Sequence, residues 1–296
     1  MATPIAGKQA PGFYRCKVGD IEVTVLSDGN VPLDTNLFHG DPAGREKLLK
    51  DAFLPTDAVA TPINQWLVNT GAKLVLVDTG AADVFAPTLG RMGQHLAAAG
   101  AKPGEVDDVI ITHMHPDHIP GLLDTDKTPR FKNAIVHINA DEYAFWQSDE
   151  NRAKIGEPFQ GFFDIARASI KPYADAGKLQ LFKPGAQIAP GLTTIHAPGH
   201  TVGHTMVRVS SGATDFLIWT DIVHNIALQF PEPERSIAFD TDPALAIATR
   251  KKAFDMVATD RLLFGGAHMP FPGLGHLVRS AGGGYTFVPL HYAEHL

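Results

Sequence analysis

The sequence predicts an α/β protein in which two sheets pack face to face with helices outside. Three observations carry this expectation. Strand-like and helix-like stretches alternate along the 296 residues, with no low-complexity tract and no long linker. The second half repeats the rhythm of the first, and the strand-like runs of both halves end at polar, ligand-type residues. The halves read as one domain, 1–296, with residues 1–20 as an N-terminal arm.

Taken in order, residues 21–26 (IEVTVL), 63–69 (INQWLVN) and 73–77 (KLVLV) read as strands, the last closed by Asp78-Thr79-Gly80. β-Branched and aliphatic runs of this length, bounded by Asp or Gly, are strand signals. Leu89, Met92 and Leu96 then recur at helical spacing, and Gly100 can end that helix. VDDVIITH is a buried strand. IVHINADEYAFW passes from strand to helix, and residues 159–176 read as helical. TTIHAPGH, MVRVS and FLIWTD are short strands, DPALAIATRKKAFDMVA is a long amphipathic helix, and RLLFGGAH closes with a strand.

Composition narrows the function classes. With 44% hydrophobic and 19% charged residues the chain is globular in character, and no apolar run approaches the roughly 18 residues of a membrane span. A formal charge of −7 lacks the basic footprint of a nucleic-acid binder, so small neutral partners fit better. The start, MATPIAGKQAPGFYR, shows no basic segment followed by an apolar one, so no signal peptide is read. Its small residues and prolines also suit a terminus left after cleavage, which leaves cytoplasmic and periplasmic or secreted placement both open. The single Cys16 excludes an internal disulfide and a thiolate metal cluster; a small buried side chain is the expectation.

Histidine stands out, with fourteen in the chain. His113, His115, His118, His200, His204 and His268 all lie within three residues of Gly, Asp or Pro at turn-like positions, where functional side chains collect. In ITHMHPDHIPGLL, His113 and His115 are two apart and share a side of an extended segment. Pro116 keeps His115 out of the helical region, and Asp117 is placed to cap a helix beginning there. Neutral imidazole and carboxylate without thiolate suit an open hydrolytic site for zinc or another borderline divalent ion. Further candidates follow apolar runs: His200 in PGH, Asp221 in FLIWTD and His268 in GGAH.

The order His-x-His-x-Asp-His, Pro-Gly-His, Thr-Asp and Gly-Ala-His resembles the metallo-β-lactamase superfamily, from Asp78 to His268. That resemblance implies an αβ/βα four-layer sandwich of two mixed sheets. It also implies two divalent metal ions: one on His113, His115 and His200, the second on Asp117, His118 and His268, with Asp221 bridging them. A bridging hydroxide would be the nucleophile and the ions would lie about 3.5–4 Å apart. Zinc is the expected metal, although the same ligands accept Mn, Co or Fe. Asp78 would support a ligand histidine, or else simply form a turn; His204 is given a supporting role over a ligand role. His224 faces either the cavity or the surface. His39, His95, His137, His196, His276, His291 and His295 are left as structural or surface residues.

Departures and finer matches narrow the family reading. Asp221 stands where cysteine-ligand β-lactamases carry a thiol, and His115 where flavodiiron proteins carry a glutamate. PGFYR, LVNTGAKLVLVDTGAA, FAPTLGR, AHMPFPGLGH and GYTFVPL resemble the methyl parathion hydrolase group of organophosphorus hydrolases, lactonases and aryl esterases. The implied activity is hydrolysis of organophosphate triesters, lactones or aryl esters by a homodimer, with Asp117 and Asp221 as catalytic carboxylates. An acyl-homoserine lactone lactonase is the alternative, and a non-enzymatic metal-binding module the distant one. Phe85, Trp146, Phe162 and Phe163 would form the aromatic substrate pocket.

Overall fold

In the computed structural model, which describes residues 5, 7, 9–157 and 159–294, the chain forms two seven-stranded sheets. The first holds β1 (Phe13–Val18), β2 (Ile21–Asp34), β3 (Ala58–Asn69), β4 (Leu74–Val77), β5 (Asp108–Ile111), β6 (Ile135–Asn139) and β7 (Leu179–Phe182), side by side in chain order. The second holds β8 (Gln187–Ala189), β9 (Leu192–His196), β10 (Thr205–Ser211), β11 (Thr214–Thr220), β12 (Leu263–Gly266), β13 (Leu274–Arg279) and β14 (Tyr285–Pro289), again sequential. Both are mixed: β4 to β7 run parallel, as do β11 and β12, and the remaining pairs are antiparallel. This is the expected α/β architecture.

Alternation along the strands decides what each side chain packs on. In β4, Val75 and Val77 face the second sheet while Leu76 faces the helices; in β5, Ile110 and the pair Val109 and Ile111 divide the same way. Both faces of these parallel strands are therefore apolar, as burial on both sides requires. Between the sheets, Val23, Val25, Trp66 and Val68 meet Val207, Val209, Phe216 and Ile218. Outside the first sheet lie α2 (Met92–Ala98), α3 (Ala140–Gln147) and α5 (Gln160–Asp175), which contribute Met92, Leu96, Trp146, Phe163, Ala166 and Ile170 to its core. Outside the second lies α7 (Pro243–Asp260), started by Pro243 and capped by Asp242; it buries the stripe Ala246, Arg250, Ala253, Phe254 and Val257. α1 (Pro42–Asp51), α4 (Asp149–Lys154) and α6 (Ile226–Gln229) complete the α-helices of the described residues.

Two local expectations need correction. Residues 13–18, read as part of an N-terminal arm, form β1, because the two-residue Gly19-Asp20 connection, with Gly19 at φ +57°, closes a hairpin onto β2. The arm's residues 1–4, 6 and 8 lie outside the described residues. The helix expected from Asp117 does not form either; residues 116–118 turn, and one 3-10 turn follows at Pro120–Leu122. Pro120 lacks the N–H a helix would need there, and Gly121 presses against Thr79. Among the described residues no helix is long and apolar enough to cross a membrane.

The Gly121 contact ties the site loop to the turn after β4. A Cβ added at Gly121 would meet the Thr79 carbonyl oxygen at 1.8 Å, and the Gly121 N–H donates to Gly80 O at 3.2 Å. Gly121→Ala is expected to cost about 3 kcal/mol by forcing backbone apart, lowering the urea midpoint of the metal-stripped chain. An unchanged midpoint would show that this approach contributes nothing to stability.

Candidate metal centre

The candidate ligands converge from strand ends on one side of the sandwich. β5 leads into His113, His115, Asp117 and His118, and the turn after β4 supplies Asp78; β9 leads toward His200, β11 into Asp221 and β12 into His268. Strand ends are the usual location of sites in open α/β sheets. Two of these ends carry non-glycine residues in the left-handed region, Asp78 at φ +60° and Thr220 at φ +46°. A β-branched residue such as Thr220 is strained there by about 1–3 kcal/mol, and that sharp turn directs Asp221 inward.

Ligand-capable atoms within 4.8 Å of one another fall into three overlapping groups: His113, His115 and His200; Asp117, His118, Asp221 and His268; and His200, Asp221 and His224. Asp221 lies at the centre. Its Oδ2 is 2.9 Å from His268 Nε2, 3.3 Å from His200 Nε2, 3.3 Å from His224 Nε2 and 3.6 Å from His113 Nε2, and its Oδ1 is 3.2 Å from His118 Nε2. Asp117 Oδ2 is 3.4 Å from both His118 and His268 Nε2.

The outward nitrogens explain how the rings are aimed. His118 Nδ1 donates to Asp78 Oδ2 at 2.8 Å, His200 Nδ1 to Asp240 Oδ1 at 2.9 Å and His268 Nδ1 to Pro62 O at 2.9 Å. His113 Nδ1 donates to Thr112 Oγ1 at 3.2 Å, and that hydroxyl donates to Asp78 Oδ2 at 2.8 Å. The acceptor behind each of these four rings fixes its tautomer and leaves Nε2 as the inward lone pair, the arrangement that metal-binding histidines need. The structure itself tests the fit of a metal: His113 Nε2, His118 Nε2, His200 Nε2 and Asp221 Oδ1 are buried and carry no hydrogen bond. Four such atoms facing one space are costly unless a cation joins them.

Charge is distributed accordingly in the metal-free chain. Burial opposes ionisation of Asp221, yet the surrounding His118, His268 and His113 outweigh it and hold the carboxyl well below the usual range. Burial likewise opposes charge on Asp117, and His118 and His268 overcome it. Burial and the neighbouring His118 push His113 far down; burial and His200 do the same to His115. His118 goes the other way, because Asp221, Asp117 and Asp78 outweigh its burial.

His204 is buried behind the centre and has no free nitrogen. Its Nδ1 donates to Ala197 O at 3.0 Å, while Nε2 accepts from Thr220 Oγ1 at 2.7 Å; burial pushes its pKa down to about 3. It supports the Thr220-Asp221 turn. His224 faces the cavity, stacked on His268 at 5.0 Å, with its ring nitrogens free of hydrogen bonds. Burial pushes its pKa down to about 4.

The aromatic expectations divide. Phe85, Phe162 and His224 line a cavity of about 220 Å³ together with His115, Asp117, His200, Asp221 and His268. Trp146 does not line it; it lies in an adjoining cavity of about 270 Å³ that shares His115, Phe162 and Phe239 with the first. Phe163 is a correction: it is fully buried on the core side of α5, its ring 4.5 Å from that of Trp146, because consecutive helical residues point about 100° apart. Missed altogether were Asp240 behind His200, and Phe239, Val31, Leu33 and Thr61 in the cavity wall. No local motif marks any of them. Of the histidines left as structural, His137 pairs with Asp108 at 2.8 Å and His95 Nδ1 bonds Ser27 O at 2.5 Å, while His295 lies outside the described residues.

Comparison with known proteins agrees with this geometry. The family model described as metallo-beta-lactamase superfamily matches residues 58–268. A probable metallo-hydrolase of Mycobacterium tuberculosis is 26% identical over 183 residues, 49% of this chain; the chain spans 52% of that relative's length. The crystal structure of hydrolase AbOPH, in the beta lactamase superfamily, superimposes with a TM-score of 0.92 at 34% identity over 97% of this chain and 100% of its own. AidC, a dizinc quorum-quenching lactonase in complex with a hexanoyl-homoserine product, gives 0.87 at 28% identity over 96% and 99%.

Asp240→Asn keeps the size of the side chain behind His200 but removes its charge. Metal affinity is expected to fall about 10–100-fold, read as release at lower chelator concentration in a competition titration. Release at the wild-type concentration would remove Asp240 from the centre.

Proposed function

The chain belongs to the metallo-beta-lactamase superfamily, and from that premise we propose that it is a dinuclear zinc hydrolase of small neutral substrates. Lactones come first, with aryl esters and organophosphate triesters turned over at the same site. The observation that carries this reading is the lining of the 220 Å³ cavity. Its floor is the candidate ligand set; its walls are Val31, Leu33, Thr61, Phe85, Phe162 and Phe239, and no lysine or arginine is among them. An anionic substrate would find no cationic side chain there, whereas a neutral ring fits apolar and aromatic walls.

In this reading His113, His115 and His200 would hold one ion and Asp117, His118 and His268 the other, with Asp221 placed to reach both. Divalent ions so held supply Lewis acidity toward a carbonyl or phosphoryl oxygen and make water acidic enough to react near neutrality. The chain does the rest. Asp78, Asp240 and the Pro62 carbonyl keep the imidazoles aimed inward. Phe85, Phe162 and Phe239 cover the apolar part of the substrate and exclude water. Asp117, with a side chain 19% exposed on the cavity floor, can take a proton at Oδ2 and return it to a departing alkoxide.

A preference for acyl-homoserine lactones is the second reading. It is favoured by the adjoining 270 Å³ cavity, whose Phe145, Trp146, Ile155 and Phe159 would receive an apolar acyl arm while the lactone lay beside His115. The likeness to AidC supports it.

Side-by-side turnover of dihydrocoumarin, hexanoyl-homoserine lactone and a paraoxon-type triester tests the substrate order. Lactone kcat/KM is expected to exceed that for the triester by at least about tenfold, and the reverse ranking would overturn the assignment. Chelation should abolish all three activities and zinc restore them. Asp221→Ala should lower kcat by about a thousandfold; full activity in that variant would end the dinuclear reading.

A further inference from the structure

We propose that Glu142 is a positioning residue that clamps the two loops of the His113, His115 and His200 group together and so sets metal affinity there. This inference rests on the dinuclear reading above. Glu142 lies in the first turn of α3, its side chain completely buried. Its two oxygens serve different loops. Oε1 accepts from Met114 N at 2.9 Å, the residue between His113 and His115, and from Trp146 Nε1 at 2.7 Å. Oε2 accepts from Thr201 Oγ1 at 2.7 Å and Gly203 N at 2.8 Å, both just beyond His200.

Those loops come from opposite sheets, one after β5 and one after β9, and no strand pairing links β5 to β9. The carboxylate spans that gap. All four groups around it are donors, so an ionised carboxylate satisfies every one, whereas a neutral amide of the same shape would turn one acceptor into a fifth donor. The seat is built for close approach: a Cβ added at Gly203 would lie 2.5 Å from Glu142 Cβ and 2.6 Å from its backbone nitrogen. The rings it indirectly sets lie close, His115 to His200 at 4.6 Å and His113 to His200 at 4.9 Å between centroids. Asp78 stands behind His118 of the other group and also reaches His113 through the Thr112 hydroxyl, whereas the loop bonds of Glu142 all go to the loops of the first group.

The test uses the full chain reconstituted with zinc and, separately, with cobalt(II). Metal per chain is measured by elemental analysis after dialysis against graded chelator, and the cobalt d–d absorption is recorded. For Glu142→Gln the expected result is release of one of two equivalents at about 10–100-fold lower chelator, with an altered cobalt band and retention of the other equivalent. Thr201→Val removes one donor while keeping shape; it should shift the same equivalent by a smaller factor, and it decides the matter should Glu142→Gln not fold. Wild-type release and an unchanged cobalt spectrum in the folded variants would overturn the clamp. A wild-type chain that takes up a single equivalent would instead overturn the dinuclear reading, and the clamp is then judged by the release of that one.

Discussion

Everything around the centre follows from burying one carboxylate, Asp221, among the inward nitrogens of five imidazoles, on His113, His118, His200, His224 and His268. In a dry interior such a cluster is tolerable only if each ring presents a lone pair and something cationic is shared among them. The first condition is met from outside the cluster. Acceptors on the far side of four of the rings, all but His224, hold the Nδ1 protons, so those Nε2 atoms have nowhere to turn but inward. The second condition gives the fold its chemistry, because buried atoms with no partner are free energy waiting for a ligand.

Holding such a cluster demands rigidity from elements far apart in sequence. The first sheet delivers His113 to His118 and Asp78; the second delivers His200, Asp221 and His268. Their relative position is fixed by the inter-sheet core around Trp66, Val75, Val207 and Phe216, since close-packed side chains transmit displacement and do not absorb it. The strained turn at Thr220 is sustained by the same packing, with Trp219 fully buried on one side and His204 bonded to the Thr220 hydroxyl on the other. Stability in the cores thus becomes precision at the strand ends.

What the sequence made legible is what it encodes locally. His113 to His118 occupy six positions, so a single turn brings them together, and the apolar runs before His200, Asp221 and His268 mark strand ends without knowledge of the partner strands. The two-sheet architecture was equally legible, because alternating strand and helix signals are short-range. The helix expected at Asp117 failed because Pro120 and Gly121 outweigh a favourable cap, and β1 was overlooked because FYRCKV, interrupted by Arg15 and Lys17, looks unremarkable until the two-residue Gly-Asp turn pairs it with the strand-like IEVTVL. Asp240 and Glu142 could not be read at all. Each acts through groups 28 to 61 residues away in sequence, and a lone acidic residue in a turn or on a helix normally faces solvent.

The pocket shows the same limit in its sharpest form. Phe162 and Phe163 are neighbours with identical side chains, yet one looks into the cavity and the other fills the core beside Trp146. Only the phase of α5 against the first sheet separates them, and that phase is set by Ala166, Ile170 and Tyr173 further along the helix. The cavity wall draws on residues 31, 33, 61, 85, 162 and 239, none of which shares an element with a candidate ligand. Ligand geometry and substrate shape are therefore carried by different parts of the chain. A substitution at Leu33 can remodel the space above the centre without touching an imidazole or its supporting acceptor, so one set of candidate ligands is compatible with several substrate classes.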